Sequence, residues 1–87
     1  MFYLYILKSK KDDKFYIGIT NDLNDRISRH NSGKVTATRF RRPLNMVYYE
    51  KYQSYNEVIK RERYLKSLKS HKYINWLING GAWCSLV

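Results

Sequence analysis

The sequence predicts an α+β fold with its elements in the order β-β-α-β-α-α. Three observations carry this reading. Two short runs of aromatic, β-branched and aliphatic residues, Phe2 to Leu7 and Phe15 to Thr20, flank a polar stretch. That pattern reads as a β-hairpin. A third run of the same kind, Met46 to Tyr52, follows much later. Between and after these runs, capping residues stand before segments whose apolar positions recur at helical spacing.

Taken in order, Phe2 to Leu7 is apolar enough for a strand buried on both faces. Lys8 to Lys14 is polar, with Asp12-Asp13 as the turn signal, and Phe15 to Thr20 returns as the second strand. Asn21 or Asp22 caps a first helix, whose apolar side holds Leu23 and Ile27. Asn31-Ser32-Gly33 ends it, with Gly33 suited to the left-handed position after a helix. A basic loop from Lys34 to Pro43 leads into the third strand. Ser54 to Glu57 has the form of a capping box, opening a helix that runs to about Ser67. Ser70 caps a last helix reaching about Asn79, with Ile74, Leu77 and Ile78 inward. Gly80-Gly81 stops it, and Trp83 and Leu86 are apolar enough to pack the tail back. No linker, repeat or low-complexity segment divides residues 1–87, which read as one domain.

Composition narrows the function. The chain has 87 residues, is 44% hydrophobic and 16% aromatic, and so carries enough apolar mass for a core. Its 17 Lys+Arg against 7 Asp+Glu leave a formal net charge of +10. That favours a polyanionic partner, because each phosphate contact releases counterions. No stretch is long and apolar enough to span a bilayer, and no helix is basic on one face and apolar on the other throughout. No basic segment precedes the apolar N-terminus, so it does not read as a signal peptide. The lone Cys84 forbids an internal disulfide and has no basic neighbour to activate it. A cytoplasmic protein is expected. One cysteine and two histidines, His30 and His71, lack zinc-ligand spacing, and His71 has no evident partner.

Six positions stand out. Arg26 and His30 are four apart on the first helix, and so share a face that borders Leu23 and Ile27. Arg26 is either a clamp for a phosphate oxygen or the partner of Asp22 or Asp25. Glu62 occupies a slot in the stripe traced by Val58, Leu65 and Leu68. A carboxylate there either binds a divalent cation or pairs with Arg61, Lys66 or Lys69 at the surface. Most of the nine tyrosines are packing residues, but Tyr5 and Tyr16 sit in paired strands. A tyrosine works as a base only if positive charge lowers its pKa from about 10, which Arg26, His30 and a metal would do. Gly18, inside a strand, leaves either a gap for a ligand's approach or a simple bulge.

Together these residues resemble the GIY-YIG nuclease family, over Tyr3 to about Trp83. The second family triplet is intact as Tyr16-Ile17-Gly18, while the first is replaced by Tyr3-Leu4-Tyr5, which keeps only its tyrosine. The family arginine matches Arg26, the histidine or tyrosine one turn on matches His30, and the metal-binding glutamate matches Glu62. Ile19 stands where some members have lysine, and Asn75 is the candidate for an asparagine found beyond the glutamate. The chain looks closest to small single-domain members related to the N-terminal nuclease domain of UvrC.

The resemblance implies a small three-stranded antiparallel sheet flanked by helices. It also implies metal-dependent endonuclease chemistry on DNA, with Mg²⁺ (or Mn²⁺) as cofactor, in repair or recombination. Tyr5 or Tyr16 would take the proton of the attacking water, His30 would tune it, Arg26 would steady the phosphate and Glu62 would hold the metal. Lys14, Gly18, Arg29, Lys34, Arg39, Arg41 and Arg42 would grip the backbone. Active members usually carry an extra DNA-binding domain, so this chain would bind through its own surface, as a homodimer, or with a protein partner. RNA is the second target, since exposed tyrosines stack on unpaired bases. The competing reading is a non-catalytic nucleic-acid-binding module of the same fold.

Overall fold

The computed structural model describes residues 1–80. Strands β1 (Phe2–Ser9), β2 (Phe15–Thr20) and β3 (Leu44–Tyr52) form one sheet in the order β2-β1-β3. Both pairings are antiparallel. Helix α1 (Leu23–Asn31) lies between β2 and β3 in the chain, and α2 (Tyr55–Leu68) and α3 (His71–Ile78) follow β3. The element order is the predicted one, as are the antiparallel sheet and its flanking helices. Strand ends differ by two residues. β1 continues to Ser9 and β3 begins at Leu44, because Lys8 and Ser9 pair with Asn45 and Leu44.

The central strand explains the packing. Side chains alternate faces along a strand, and both faces of β1 are covered. Leu4 and Ile6 point into a cluster with Val58 and Leu65 of α2 and Ile74 and Leu77 of α3. Tyr5 and Leu7 point the other way, toward Leu44 and the α1 residues Leu23 and Ile27. Helices α2 and α3 therefore cover one face and α1 the other. That accounts for the unbroken apolar run of β1.

Local chemistry sets the helix ends. The Asp22 side chain accepts a hydrogen bond from the Asp25 N–H at 3.1 Å and starts α1. Gly33 follows that helix at φ 83°, where a side chain would be strained. Ser70 caps α3 through the Tyr73 N–H at 3.1 Å. The capping box at Ser54 does not form. Ser54 is the N-cap, but its hydroxyl makes no cap hydrogen bond.

Helix α2 is anchored instead by a polar network. Arg61 reaches Glu50 of β3 with Nε at 3.0 Å from Oε1 and a second nitrogen at 3.0 Å from Oε2. The Tyr48 and Tyr52 hydroxyls each donate to the same carboxylate at 2.6 Å. Burial alone would raise the Glu50 pKa, but these three donors outweigh it and hold the group below its ordinary value. Burial and that same carboxylate push Tyr52 up to about 12.

Histidine 71 does have neighbours. Its ring stacks on Phe15 at 4.5 Å, and Nε2 lies 3.3 Å from the Asp13 carbonyl. Trp83, Cys84 and Leu86 lie outside the described residues. Among the described residues no helix is long and apolar enough to cross a membrane.

Candidate active site

Strand β2 is an edge of the sheet, and a cavity of about 350 Å³ wraps around it. Tyr16 and Gly18 reach the cavity from one face of β2, and Ile17 and Ile19 from the other. Tyr5 of β1, Arg26 of α1 and Glu62 of α2 complete it. Two helices on opposite faces of the sheet thus deliver an arginine and a carboxylate to one place. The room is many times the ~30 Å³ share of a single water, enough for a phosphate group and a hydrated ion.

Tyr5 and Gly18 are cross-strand partners. A Cβ at Gly18 would collide with the Tyr5 hydroxyl and lie 2.6 Å from its Cζ. The gap in β2 is therefore filled by the Tyr5 phenol, and not held open for a ligand's backbone. Glycine lets that phenol lie flat across β2 and reach His30.

There the Tyr5 hydroxyl sits 3.0 Å from His30 Nε2, and Thr38 Oγ1 sits 2.7 Å from Nδ1. His30 and Thr38 are fully buried. The Tyr16 ring packs edge-on to the same imidazole at 4.9 Å. Burial, and then the charge of Arg26, lower the His30 pKa, so the ring is neutral at pH 7. Tyr5 moves in the direction opposite to that expected. Burial first, then Tyr16, push it up to about 12, and Arg26 only partly offsets this. Tyr5 is a protonated phenol at neutral pH.

Because the folded pKa of His30 is depressed, the unfolded chain binds more protons as pH falls. The stability this site contributes is complete above the unfolded value of about 6.5. It is lost as pH drops from there through the folded value. The melting temperature should hold steady from pH 8 to 7 and fall below about pH 6.5, and His30→Gln should lack that fall. An identical pH profile in both proteins would remove His30 as its source.

Arg26 has no ion pair with Asp22 or Asp25. Asp22 caps the helix, and Asp25 pairs with Arg29 at 3.0 Å. The Nε of Arg26 is buried with no hydrogen-bond partner among the described residues. A buried donor left unpaired costs about 1–3 kcal/mol, so Nε is set for an acceptor the chain does not supply, although the same guanidinium also bonds the Tyr5 side chain. Glu62 realises one alternative without closing the other. Its carboxylate pairs with Lys66 at 3.2 Å, yet its side chain keeps 21% exposure at the cavity. An exposed i,i+4 pair is worth only ~0.3–0.5 kcal/mol, which a divalent cation would outcompete.

Sequence reasoning missed several residues here. Tyr55, Ile59 and Arg63 line the cavity with Glu62, as does Lys66, which the sequence offered only as a partner for that carboxylate. Spacing could have revealed them, since 55, 59, 62, 63 and 66 fall on one face of a helix. Three cations, Arg26, Arg63 and Lys66, surround one carboxylate, so the cavity favours an anion. Thr38 had no such signal, being one polar residue in a loop.

The other predicted contacts lie elsewhere. Arg29 is exposed and tied to Asp25. Lys14 borders a separate cleft with Phe15, Lys69 and His71. Arg39 and Arg42 border another cleft, and Lys34 is exposed on the loop leading to them. Arg41 turns back to Asp12 at 3.3 Å. Asn75 stays on α3, outside the cavity, where its carbonyl accepts from the Asn79 side chain.

Comparison with known proteins shows which family the chain resembles over most of its length. Residues 1–75 match the model of the GIY-YIG catalytic domain. A UPF0213 protein of Staphylococcus saprophyticus is 35% identical over 79 residues, covering 90% of this chain and 95% of the relative. One from Clostridium perfringens is 45% identical over 69 residues, covering 78% and 73%. The solution NMR structure of a UPF0213 protein from Bacillus halodurans matches with a TM-score of 0.58 at 36% identity, over 91% of this chain and 84% of that one.

Proposed function

This chain belongs to the GIY-YIG catalytic domain family, and we propose that it is a divalent-metal-dependent endonuclease that hydrolyses DNA phosphodiester bonds. One observation carries the reading. Arg26, with a buried unpaired donor, and Glu62 converge with Tyr5 and Tyr16 on one cationic cavity.

The donor set fits a hard, strongly hydrated cation. Glu62 offers one carboxylate, and no group of three His, Cys, Asp or Glu stands together among the described residues. That suits Mg²⁺ or Mn²⁺, which keep several waters, and not a fully protein-ligated zinc. Glu62 would hold the ion, whose chemistry is to neutralise charge on the scissile phosphate and the leaving oxygen.

The chain's own groups do the rest. Arg26 donates to a phosphate oxygen and gains strength as charge builds in the transition state. Arg63 and Lys66 draw the strand in. Tyr5, a neutral phenol locked against His30, holds its position and serves as a hydrogen-bond donor. With the Tyr5 hydroxyl engaged by His30, Tyr16, the other phenol on the wall, would take the proton of the attacking water as its phenolate. Target choice would follow DNA structure or damage instead of base sequence, as a repair or recombination step in a bacterial cytoplasm would need.

Arg26→Lys keeps the charge but loses the planar fork. Removing one transition-state donor typically costs ~10²–10³ in rate, and single-turnover cleavage with Mg²⁺ should fall by about that much while DNA affinity stays within a few-fold. If the wild-type protein binds DNA yet cuts none with Mg²⁺ or Mn²⁺, the binding-module reading replaces this one.

A further inference from the structure

Phe40 is the most exposed large apolar side chain of the described residues, at 75%. It stands on the loop between α1 and β3, beside a cleft of about 490 Å³ bordered by Lys11, Arg39 and Arg42. The Arg39 guanidinium lies 5.0 Å from its ring centroid. Leaving a phenylalanine in water forgoes ~1.5–3 kcal/mol of burial, and nothing about the loop's slackness explains it.

The loop is pinned on both sides of the ring. Thr38 is held by His30 at 2.7 Å, and the Arg41 N–H donates to the Thr38 carbonyl at 2.9 Å. Ser9 donates to the Arg41 carbonyl at 2.6 Å, and the Lys10 N–H to the Pro43 carbonyl at 2.9 Å. Arg42 Nε donates to the Arg39 carbonyl at 2.8 Å. Phe40 is thus presented outward in advance of any partner.

An aromatic face ringed by cations, with no carboxylate in the cleft lining, matches one occupant. An unpaired base has a free π-face for the ring and adjacent phosphates for Lys11, Arg39 and Arg42. A paired base within a duplex offers no free face. A second copy of this surface would bring like charges together. The cleft also touches Asn31, the last residue of α1, while Arg26 of the cavity lies five residues earlier. That is about 7.5 Å of rise along α1 and about 140° around it, so a strand that meets both sites would pass around this helix.

We propose that Phe40 and the cations around it form a second site, which stacks an unpaired base of the DNA strand cut at the Arg26–Glu62 cavity. It rests on the nuclease reading for the identity of that strand. The site would turn a general phosphate binder into one that favours bulged, flipped or single-stranded DNA.

The test is DNA binding in EDTA, with a perfect duplex and the same duplex carrying one bulged 2-aminopurine. The wild-type protein should bind the bulged DNA about five- to a hundredfold more tightly and quench the 2-aminopurine emission. Phe40→Ala should bind both DNAs alike, without quenching, and Phe40→Tyr should keep the preference. A preference that survives Phe40→Ala, or none in the wild type, overturns the site. Cleavage is scored separately with Mg²⁺ and Mn²⁺. Base preference without cleavage upholds the site and sinks the nuclease reading, cleavage without a Phe40-dependent preference does the reverse, and no binding to either DNA overturns both.

Discussion

Glu62→Gln should lower single-turnover DNA cleavage by about a thousandfold or more and leave DNA affinity in EDTA unchanged or slightly tighter. A bound divalent ion supplies several kcal/mol of charge stabilisation in phosphoryl transfer, and each 1.36 kcal/mol is a factor of ten in rate. The amide keeps the shape of the side chain but loses the charge that would hold the ion. Affinity should not drop, because the carboxylate repels phosphate and currently occupies Lys66 at 3.2 Å. Freeing Lys66 adds one cation to the binding surface, which should steepen the salt dependence by no more than one phosphate contact. The split matters. Equal losses of binding and cleavage would make Glu62 a structural residue, and retained cleavage would remove it from metal binding.

Glu50→Ala should produce the largest loss of stability. The carboxylate accepts from Arg61, Tyr48 and Tyr52, and the Glu50 and Arg61 side chains are only 16% and 20% exposed. Removing it strands the Arg61 charge and two hydroxyls near the protein interior. Breaking a fully buried pair costs ~3–5 kcal/mol. The remaining exposure reduces that here to about 2–3 kcal/mol, or a melting point lower by roughly 10–20 °C at this chain length. Calorimetry would measure it. Replacing both partners, Glu50→Leu with Arg61→Met, should recover part of the loss, because no charge is left unpaired. The effect should reach the cavity as well. Arg61 and Glu62 are neighbours on α2, so the anchor that fixes the helix's rotation also aims the proposed metal ligand. A shift of less than about 1 kcal/mol in Glu50→Ala would mean that α2 is held by its apolar face alone.

Much of the frame was legible in the residues. The hairpin follows from two apolar runs around Asp12-Asp13. The starts of α1 and α3 follow from Asp22 and Ser70, whose side chains do cap them. Tyr5, Tyr16, Arg26 and Glu62 were singled out by residue type and order, and they meet in one cavity.

What escaped was long-range or depended on the solvent. Nothing near Thr38 in the sequence marks it as the partner of His30, since the contact exists only when the loop folds over α1. The bond from Arg61 to Glu50 joins residues eleven apart on different elements. Gly18 was read as room for a ligand or as a simple bulge, because sequence cannot show that Tyr5 fills the gap. The direction of the Tyr5 shift escaped for a related reason. The charge of Arg26 was visible, but the burial that outweighs it at Tyr5 was not.

The most direct measurement is the nicking of supercoiled plasmid by the purified protein, first with Mg²⁺ and then with EDTA, beside Glu62→Gln at a concentration giving equal DNA occupancy. Nicking that needs the metal and disappears in the variant is the expected result. Nicking that persists in EDTA, or that Glu62→Gln retains at full rate, would contradict a metal-assisted site built on Glu62 and Arg26.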